Sequence, residues 1–343
     1  MKIVIAPDSF KECLPAPRVA AVLADEFRTE RPGWEVLECP LSDGGEGFAE
    51  IVTAALGGKL GPVMVTGPEG TPVTAYFGMA GETGIIEAAA ACGLSLVPPE
   101  RRNPLRATSR GVGELMMAAF RKGCRELLVG LGGSATCDGG EGLLSVPDIR
   151  SLCGKVTVRA LCDVTNPFTG PTGAARVFAP QKGADAEMVE VLERKMMALA
   201  ARMAEETGAD VSGMPGAGAA GGLAGALAAY FGAVPESGIE AVIDCTGLPS
   251  IAADADWIVT GEGRSDDQTL SGKVPAGVLR HKGKARVALL SGAVSRADIL
   301  REAGFDYVAA VTPAGTPLSE ALRPDRAEQH LRAAVRLFLQ EIQ

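Results

Sequence analysis

Short apolar runs recur along the chain, each followed by a longer stretch in which apolar residues return every three or four positions. Residues 2–6, 35–39, 127–131 and 156–162 have strand length and are rich in Val, Ile and Leu, the texture of strands buried in a sheet. Residues 17–30, 47–56, 109–122 and 186–206 carry the helical period. In the last of these, Met188, Leu192, Met196, Leu199 and Met203 share one face and read as core. Between positions 61 and 87 the texture changes: runs at 63–66, 73–77 and 84–87 are separated by glycine turns, which predicts a hairpin. Strands at 257–260, 286–290 and 307–311 then alternate with helices at 274–281 and 296–303, before a final helix from about Pro324. This is an α/β pattern with a largely parallel sheet. The first and last thirds read as one discontinuous doubly wound domain, 1–58 with 238–343, into which an α/β domain, 59–237, is inserted.

The candidate chemistry sits where predicted strands end. The run Gly130-Leu-Gly-Gly-Ser-Ala-Thr-Cys-Asp-Gly-Gly-Glu-Gly142 follows the 127–131 strand. Gly132 and Gly133 let the backbone turn sharply and approach a ligand, Ser134 and Thr136 add hydroxyls, and Asp138 precedes an expected helix start at Gly139. A strand end, a glycine turn and a helix N-terminus together favour phosphate. Gly216, Gly218 and Gly221 spell G-x-G-x-x-G, but no strand precedes them, so a dinucleotide fingerprint is not expected. An anion-binding loop or close helix packing are the two readings left for that loop.

Pro7-Asp8-Ser9-Phe10-Lys11 follows the first strand, where open α/β sheets bind ligands, so Asp8 and Lys11 are well placed. Ser42-Asp43-Gly44-Gly45-Glu46-Gly47 offers carboxylates suited to magnesium or to accepting a proton. Asp163 ends another strand, Lys182 brings a cation into a loop, and Arg110 stands beside Ser109 at a helix start. After the 257–260 strand come Glu262, Arg264 and Asp266, with Lys273 beyond. Arg264 and Lys273 suit a carboxylate or phosphate, and Asp266 suits a metal or a proton. Walker, protein-kinase and serine-hydrolase signatures are absent.

Composition narrows the partners. Aromatic residues make up 4% of the 343 residues and the net charge is -9, which disfavours nucleic acid and anionic membranes. An anionic substrate therefore needs a local cationic pocket. The eight cysteines include no Cys-x-x-Cys pair and the two histidines lie far apart, so zinc patterns are not expected and the thiols read as reduced. The chain enters a strand directly from Met1, and no apolar run spans a bilayer. A cytoplasmic location is the expectation.

Taken together, KIVIAPDSFK (2–11), DGGEG (43–47), the 103–115 and 132–140 stretches, CDVTNP (162–167), PQKGA (180–184), PGAGAAGG (215–222) and 261–277 resemble the bacterial glycerate kinase family of glucarate and glyoxylate utilisation. The resemblance covers nearly the whole chain. It implies a flavodoxin-like domain and an inserted domain resembling a restriction-endonuclease core, and ATP-dependent phosphorylation of D-glycerate with Mg2+, 2-phosphoglycerate being the favoured product. It implies that Gly132, Gly133, Ser134, Thr136, Asp138 and Lys182, with Gly216, Gly218 and Gly221, hold ATP phosphates. Lys11, Arg264 and Lys273 would clamp the substrate or the transferring group, with Arg110 and Glu262 also on the substrate. Asp8, Asp43, Asp163 and Asp266 share the catalytic roles, Asp43 and Asp266 being the metal candidates. A kinase for another small hydroxy acid and a non-catalytic sensor of phosphorylated metabolites are the alternatives, with a homo-dimer left open. Two departures stand out: Cys137 replaces the family's usual Asn, and the connection 142–156 is shorter by a few tens of residues.

Overall fold

The computed structural model describes residues 1–342. In chain order the strands are β1 (Lys2–Ile5), β2 (Glu35–Glu38), β3 (Lys59–Thr66), β4 (Pro72–Ala80), β5 (Thr83–Glu87), β6 (Glu126–Gly130), β7 (Thr157–Leu161), β8 (Pro235–Glu236), β9 (Trp257–Thr260), β10 (Arg264–Ser265), β11 (Arg286–Ser291), β12 (Ala293–Val294) and β13 (Tyr307–Ala310). The chain divides into two compact units: Met1–Asp43 with Ile239–Gln343, and Gly44–Gly238. The first junction falls at 43/44, earlier than the expected 58/59, because the helix Phe48–Ala55 packs on β3, β4 and β5 of the second unit.

The first unit is built on a five-stranded, wholly parallel sheet in the order β13-β11-β9-β1-β2. Its three central strands, β1, β9 and β11, are short and almost fully buried, as their apolar runs require, while the edge strands β2 and β13 are half-exposed. The helices Ala16–Glu30 and Pro324–Glu341 lie against one another. Phe338 is ringed edge-on by Phe27, Trp257 and Tyr307, a geometry that adds to simple burial. Buried Glu26 accepts hydrogen bonds from Arg332 (3.0 Å) and Arg336 (2.6 Å) across the same helix pair. Those partners draw its carboxyl below the usual range against the opposing effect of burial, so the charge is compensated rather than isolated.

The second unit has a six-stranded mixed sheet, β3-β4-β5-β6-β7-β8. β3 and β4 form the expected hairpin, longer than its apolar core suggested, with Thr66 opposite Pro72. β5 through β8 run parallel. The helices Arg110–Arg121 and Ala186–Thr207 stand where the periodicity put them, and the second buries Leu192, Met196, Leu199 and Met203. Among the described residues no helix is long and apolar enough to cross a membrane.

The helix Ala219–Phe231 contains a left-handed break at Ala220, Gly221 and Gly222. Gly221 has φ +67, and a Cβ there would sit 2.0 Å from the Thr136 carbonyl oxygen. Of the two readings of this glycine loop, the structure displays close packing: Gly216 lies against Pro235, Gly218 against the Pro167 carbonyl, and the Gly139 N–H donates to Gly221 O. Gly208, capping the helix Ala186–Thr207, has the same handedness (φ +79) but open space around it. Gly208→Ala should therefore meet only left-handed strain, about 1–2 kcal/mol. Gly221→Ala must also displace the Thr136 backbone, at about 1–3 kcal/mol more. Denaturant unfolding of the two variants checks this; equal losses would mean that the Thr136–Gly221 contact gives way freely.

Candidate active site

Backbone pairing in the first unit does not stop where the strands end. The Ala6 N–H donates to Val259 O (2.7 Å) and the Asp8 N–H to Gly261 O (2.8 Å), while Cys39 and Leu41 donate to Ile5 O and Pro7 O. The segments after β1, β2 and β9 thus run on side by side, bringing Asp8, Asp43 and Glu262 to the carboxyl edge of the sheet. In the order β13-β11-β9-β1-β2 the chain direction of winding reverses between β1 and β9, and ligands of open α/β sheets bind outside such a point.

Asp8 is the most perturbed group there. It is 4% exposed, and its carboxyl accepts the Ser9 N–H at 2.7 Å. Burial, then the charge of Asp43, holds its pKa well above the usual carboxylate range, with Lys11 and the Ser9 N–H pulling the other way. Lys11 Nζ lies 3.9 Å from Asp43 Oδ2. The Ser9 hydroxyl is buried without a hydrogen-bond partner, which a native interior rarely tolerates without a ligand or water.

Glu262, also buried, is the hub of the next loop. It accepts from Ser265 Oγ (3.0 Å) and Thr269 Oγ1 (2.6 Å) and pairs with Lys273 Nζ at 3.3 Å. Asp266 closes a capping box with Thr269, accepting the Gln268 N–H. Arg264, with a largely exposed side chain, is tied to Asp266 only at 3.8 Å. The structure therefore brings Asp8, Lys11, Asp43, Glu262, Arg264, Asp266 and Lys273 to loops at one sheet edge, and it adds Ser9, which sequence reasoning quoted but did not select.

The second unit collects the other expected residues and gives several of them protein partners. A Cβ on Gly132 would lie 2.5 Å from Gly45 Cα, so the turn needs glycine because the Gly44–Gly45 backbone passes over it, and the Gly132 N–H donates to Gly44 O. Gly133, exposed, continues the turn with φ +71. The expected helix start at Gly139 becomes a four-residue helix, Glu141–Leu144. Asp138 accepts from Ser109 N and Oγ and from the N–H groups of Gly140 and Gly142, so it caps that short turn rather than facing an open helix end. Ser134 Oγ and the Thr136 carbonyl both accept from buried Lys182 Nζ. Arg110 is held by Glu114 (2.9 Å) and Ser145 Oγ (3.1 Å), and Asp163 accepts from Ser237 Oγ at 2.6 Å.

One carboxylate escaped the sequence reading. Glu87 ends β5 inside an apolar run and accepts the Ala49 N–H at 3.3 Å, at the start of the helix Phe48–Ala55. Burial first, then Glu46 and Glu50, push its pKa up to about 7, opposed by the N–H groups of Ala49 and Gly47. The only hint in the sequence is a lone charge in Gly84-Ile-Ile-Glu-Ala-Ala.

A family model described as the glycerate kinase family matches residues 3–150 and 145–343. Glycerate kinase of Bacillus subtilis (strain 168) is 38% identical over 375 residues, covering 98% of each chain. The chain belongs to the glycerate kinase family. Glycerate 2-kinase of Escherichia coli (strain K12) is 40% identical, covering 94% of this chain and 93% of that one. A crystal structure described as that of a "putative glycerate kinase 2" from Salmonella typhimurium LT2 superposes with a TM-score of 0.83 at 39% identity, over 100% of this chain and 98% of the other. The B. subtilis alignment is longer than the 343 residues here, so that family member carries positions this one lacks. The two family matches meet at 145–150, inside the short connection.

The raised pKa of Glu87 has a definite stability signature. The folded protein holds its proton more tightly than the unfolded chain, so stability falls as pH rises from about 4.5 to about 7 and the cost is complete above that. Glu87→Gln keeps an acceptor for Ala49 and removes the charge. Its stability relative to the parent should be higher at pH 8 than at pH 5 by about 2 kcal/mol. Chemical denaturation at the two pH values measures it, and an unchanged difference would refute the buried-charge account.

Proposed function

We propose that this enzyme transfers the γ-phosphoryl group of ATP to a hydroxyl of D-glycerate, giving ADP and 2-phosphoglycerate. Its relatives' names support the reaction. The observation that carries it in this chain is buried Asp8, its pKa raised by burial and by Asp43, with the unpartnered Ser9 hydroxyl, at the carboxyl edge of a parallel sheet. Phosphoryl transfer asks for positioning, charge neutralisation and an oriented hydroxyl more than for covalent chemistry. A carboxylate with a raised pKa is suited to take the hydroxyl proton near neutral pH, and we assign that role to Asp8. The substrate oxygen forms its bond to the γ-phosphorus, the bond to the β-γ bridging oxygen breaks, and the proton passes to Asp8. Arg264 and Lys11 are assigned as the cations for the substrate carboxylate; both are more loosely paired, at 3.8 Å and 3.9 Å, than Lys273 is with Glu262 at 3.3 Å.

Among the described residues no group of three or more acidic, histidine or cysteine side chains is disposed to hold a metal. Asp43 nevertheless fits Mg2+, which is commonly held by one or two carboxylates with nucleotide phosphates and water. We assign the metal contact to Asp43; Asp266, the other expected ligand, has its capping role. Bound Mg2+ would neutralise charge on the phosphates. Nucleotide phosphates are assigned to the Ser134, Thr136 and Lys182 group of the second unit. The strand order of the first unit supports a flavodoxin-like reading, and we retain the restriction-endonuclease-like reading for the inserted unit.

Asp8→Asn should lower turnover roughly a hundredfold with the fold intact, and Arg264→Ala should raise the glycerate KM or lower kcat at least about tenfold. Steady-state kinetics checks both; near-parental values would remove either residue from the site. Coupling directly to enolase without a mutase tests the product: formation of phosphoenolpyruvate is expected, and a silent assay with ATP still consumed would overturn the 2-phosphate assignment.

A further inference from the structure

Lys182 presents an accounting problem. Its side chain is buried, with 4% exposure, and its Nζ donates to Ser134 Oγ (3.0 Å) and to the Thr136 carbonyl (2.7 Å). An ammonium has three hydrogens, and no carboxylate pairs with it. Asp138 acts on it at a distance, but that carboxyl is already satisfied by Ser109, Gly140 and Gly142. Burial pulls the Lys182 pKa down, the mark of a cation without a counter-ion. A buried charge is normally paired, because leaving it alone is costly.

The same lysine lines a cavity of about 400 Å³ whose wall is formed by the 101–107 segment. Arg101, Arg102 and Arg106 line it, with Asn103 between them, and Glu69 is the single acidic group present. Glu69 pairs with Arg101 at 2.7 Å, and Arg102 Nε donates to Val97 O at 3.3 Å. Arg106 is exposed, and its guanidinium has no protein partner among the described residues. Four cations against one carboxylate, in a chain of net charge -9, make a local positive site against the global field.

We propose that the cavity between Lys182 and the Arg101–Arg106 segment binds a phosphate group, with Lys182 as its buried anchor and Arg102 and Arg106 as its outer clamp. The inference rests on the proposed phosphoryl transfer for the choice of phosphate among anions. Two sources share that chemistry: the polyphosphate of the nucleotide and the phosphomonoester of the product. An arginine fork and a lysine point charge are the usual pair for either. The volume is in the range of small-ligand sites.

The test is calorimetric titration of the full chain with inorganic tripolyphosphate, with the β,γ-imido analogue of ATP, and with 2-phosphoglycerate, each at low and high salt. The parent should bind at least one of them with affinity that falls as salt rises. Arg106→Gln should raise its Kd at least fivefold, and Lys182→Gln at least tenfold. Tighter binding of the first two probes identifies the nucleotide as the source; tighter binding of 2-phosphoglycerate identifies the product. If no probe binds, or if Arg106→Gln changes Kd by less than fivefold, the proposal is overturned. Should Lys182→Gln fail to fold by circular dichroism, the exposed Arg106 decides alone. Glycerate-dependent ATP turnover by the parent is measured separately: its absence would strike the proposed reaction, while the cavity stands or falls on the titrations.

Discussion

The candidate active edge of this molecule depends on parallel backbone pairing that outlasts the strands themselves. Ala6 and Asp8 go on donating to Val259 and Gly261 after β1 has ended, and Cys39 and Leu41 do the same toward Ile5 and Pro7. A carboxylate carried on a free loop would swing into water and keep an ordinary pKa. Asp8 is instead locked by its own N–H beside Gly261, inside the sheet edge, where burial and Asp43 both oppose its ionisation. The energetic penalty of that placement is met by the rest of the first unit: near-continuous apolar strands, the aromatic cluster on Phe338, and the compensated Glu26. A sheet edge this firmly registered can hold a destabilised carboxyl, and a destabilised carboxyl is what proton transfer at neutral pH requires.

The second unit solves a different problem with the same backbone logic. Its glycines are places where one chain segment runs directly over another: Gly132 under Gly45, and Gly221 under Thr136. These contacts bring Ser134, Thr136 and Lys182 into one buried group, joined by the lysine's two hydrogen bonds. The glycine motifs in this structure serve to place a buried cation.

What the sequence disclosed follows from how local each signal is. Strands such as Trp257–Thr260 and helices such as Ala186–Thr207 announce themselves through period and length, and they stand where expected. The helices Ala88–Cys92 and Ala174–Phe178 did not, because five-residue alanine-containing segments are too short to show a helical period. The strand-end residues Asp8, Asp43, Glu262 and Lys273 were legible, since charge after an apolar run is a local pattern. Ser9 matters through a missing partner and Glu87 through a contact with Ala49 far along the chain; neither is a property of neighbouring letters. Asp138 was legible as a carboxylate just before a helix start but not as a partner of Ser109, which comes from the start of another helix.

The short connection after Gly142 shows how the two levels meet. The family match breaks at 145–150, and a chain that simply lost a segment there would leave apolar surface uncovered. Here Val146, Ile149, Leu152 and Val156 are instead folded into the core beside Leu143 and the helix Arg110–Arg121. The tight path leaves a local mark in Asp148, a non-glycine residue at φ +63, a conformation that costs on the order of 1 kcal/mol. It also leaves only one turn of helix, Glu141–Leu144, after the glycine turn, too short for its dipole to matter much. With that contribution small, the anion site proposed for this unit depends on side-chain charge, which there is carried by Lys182 and the arginines lining the same cavity.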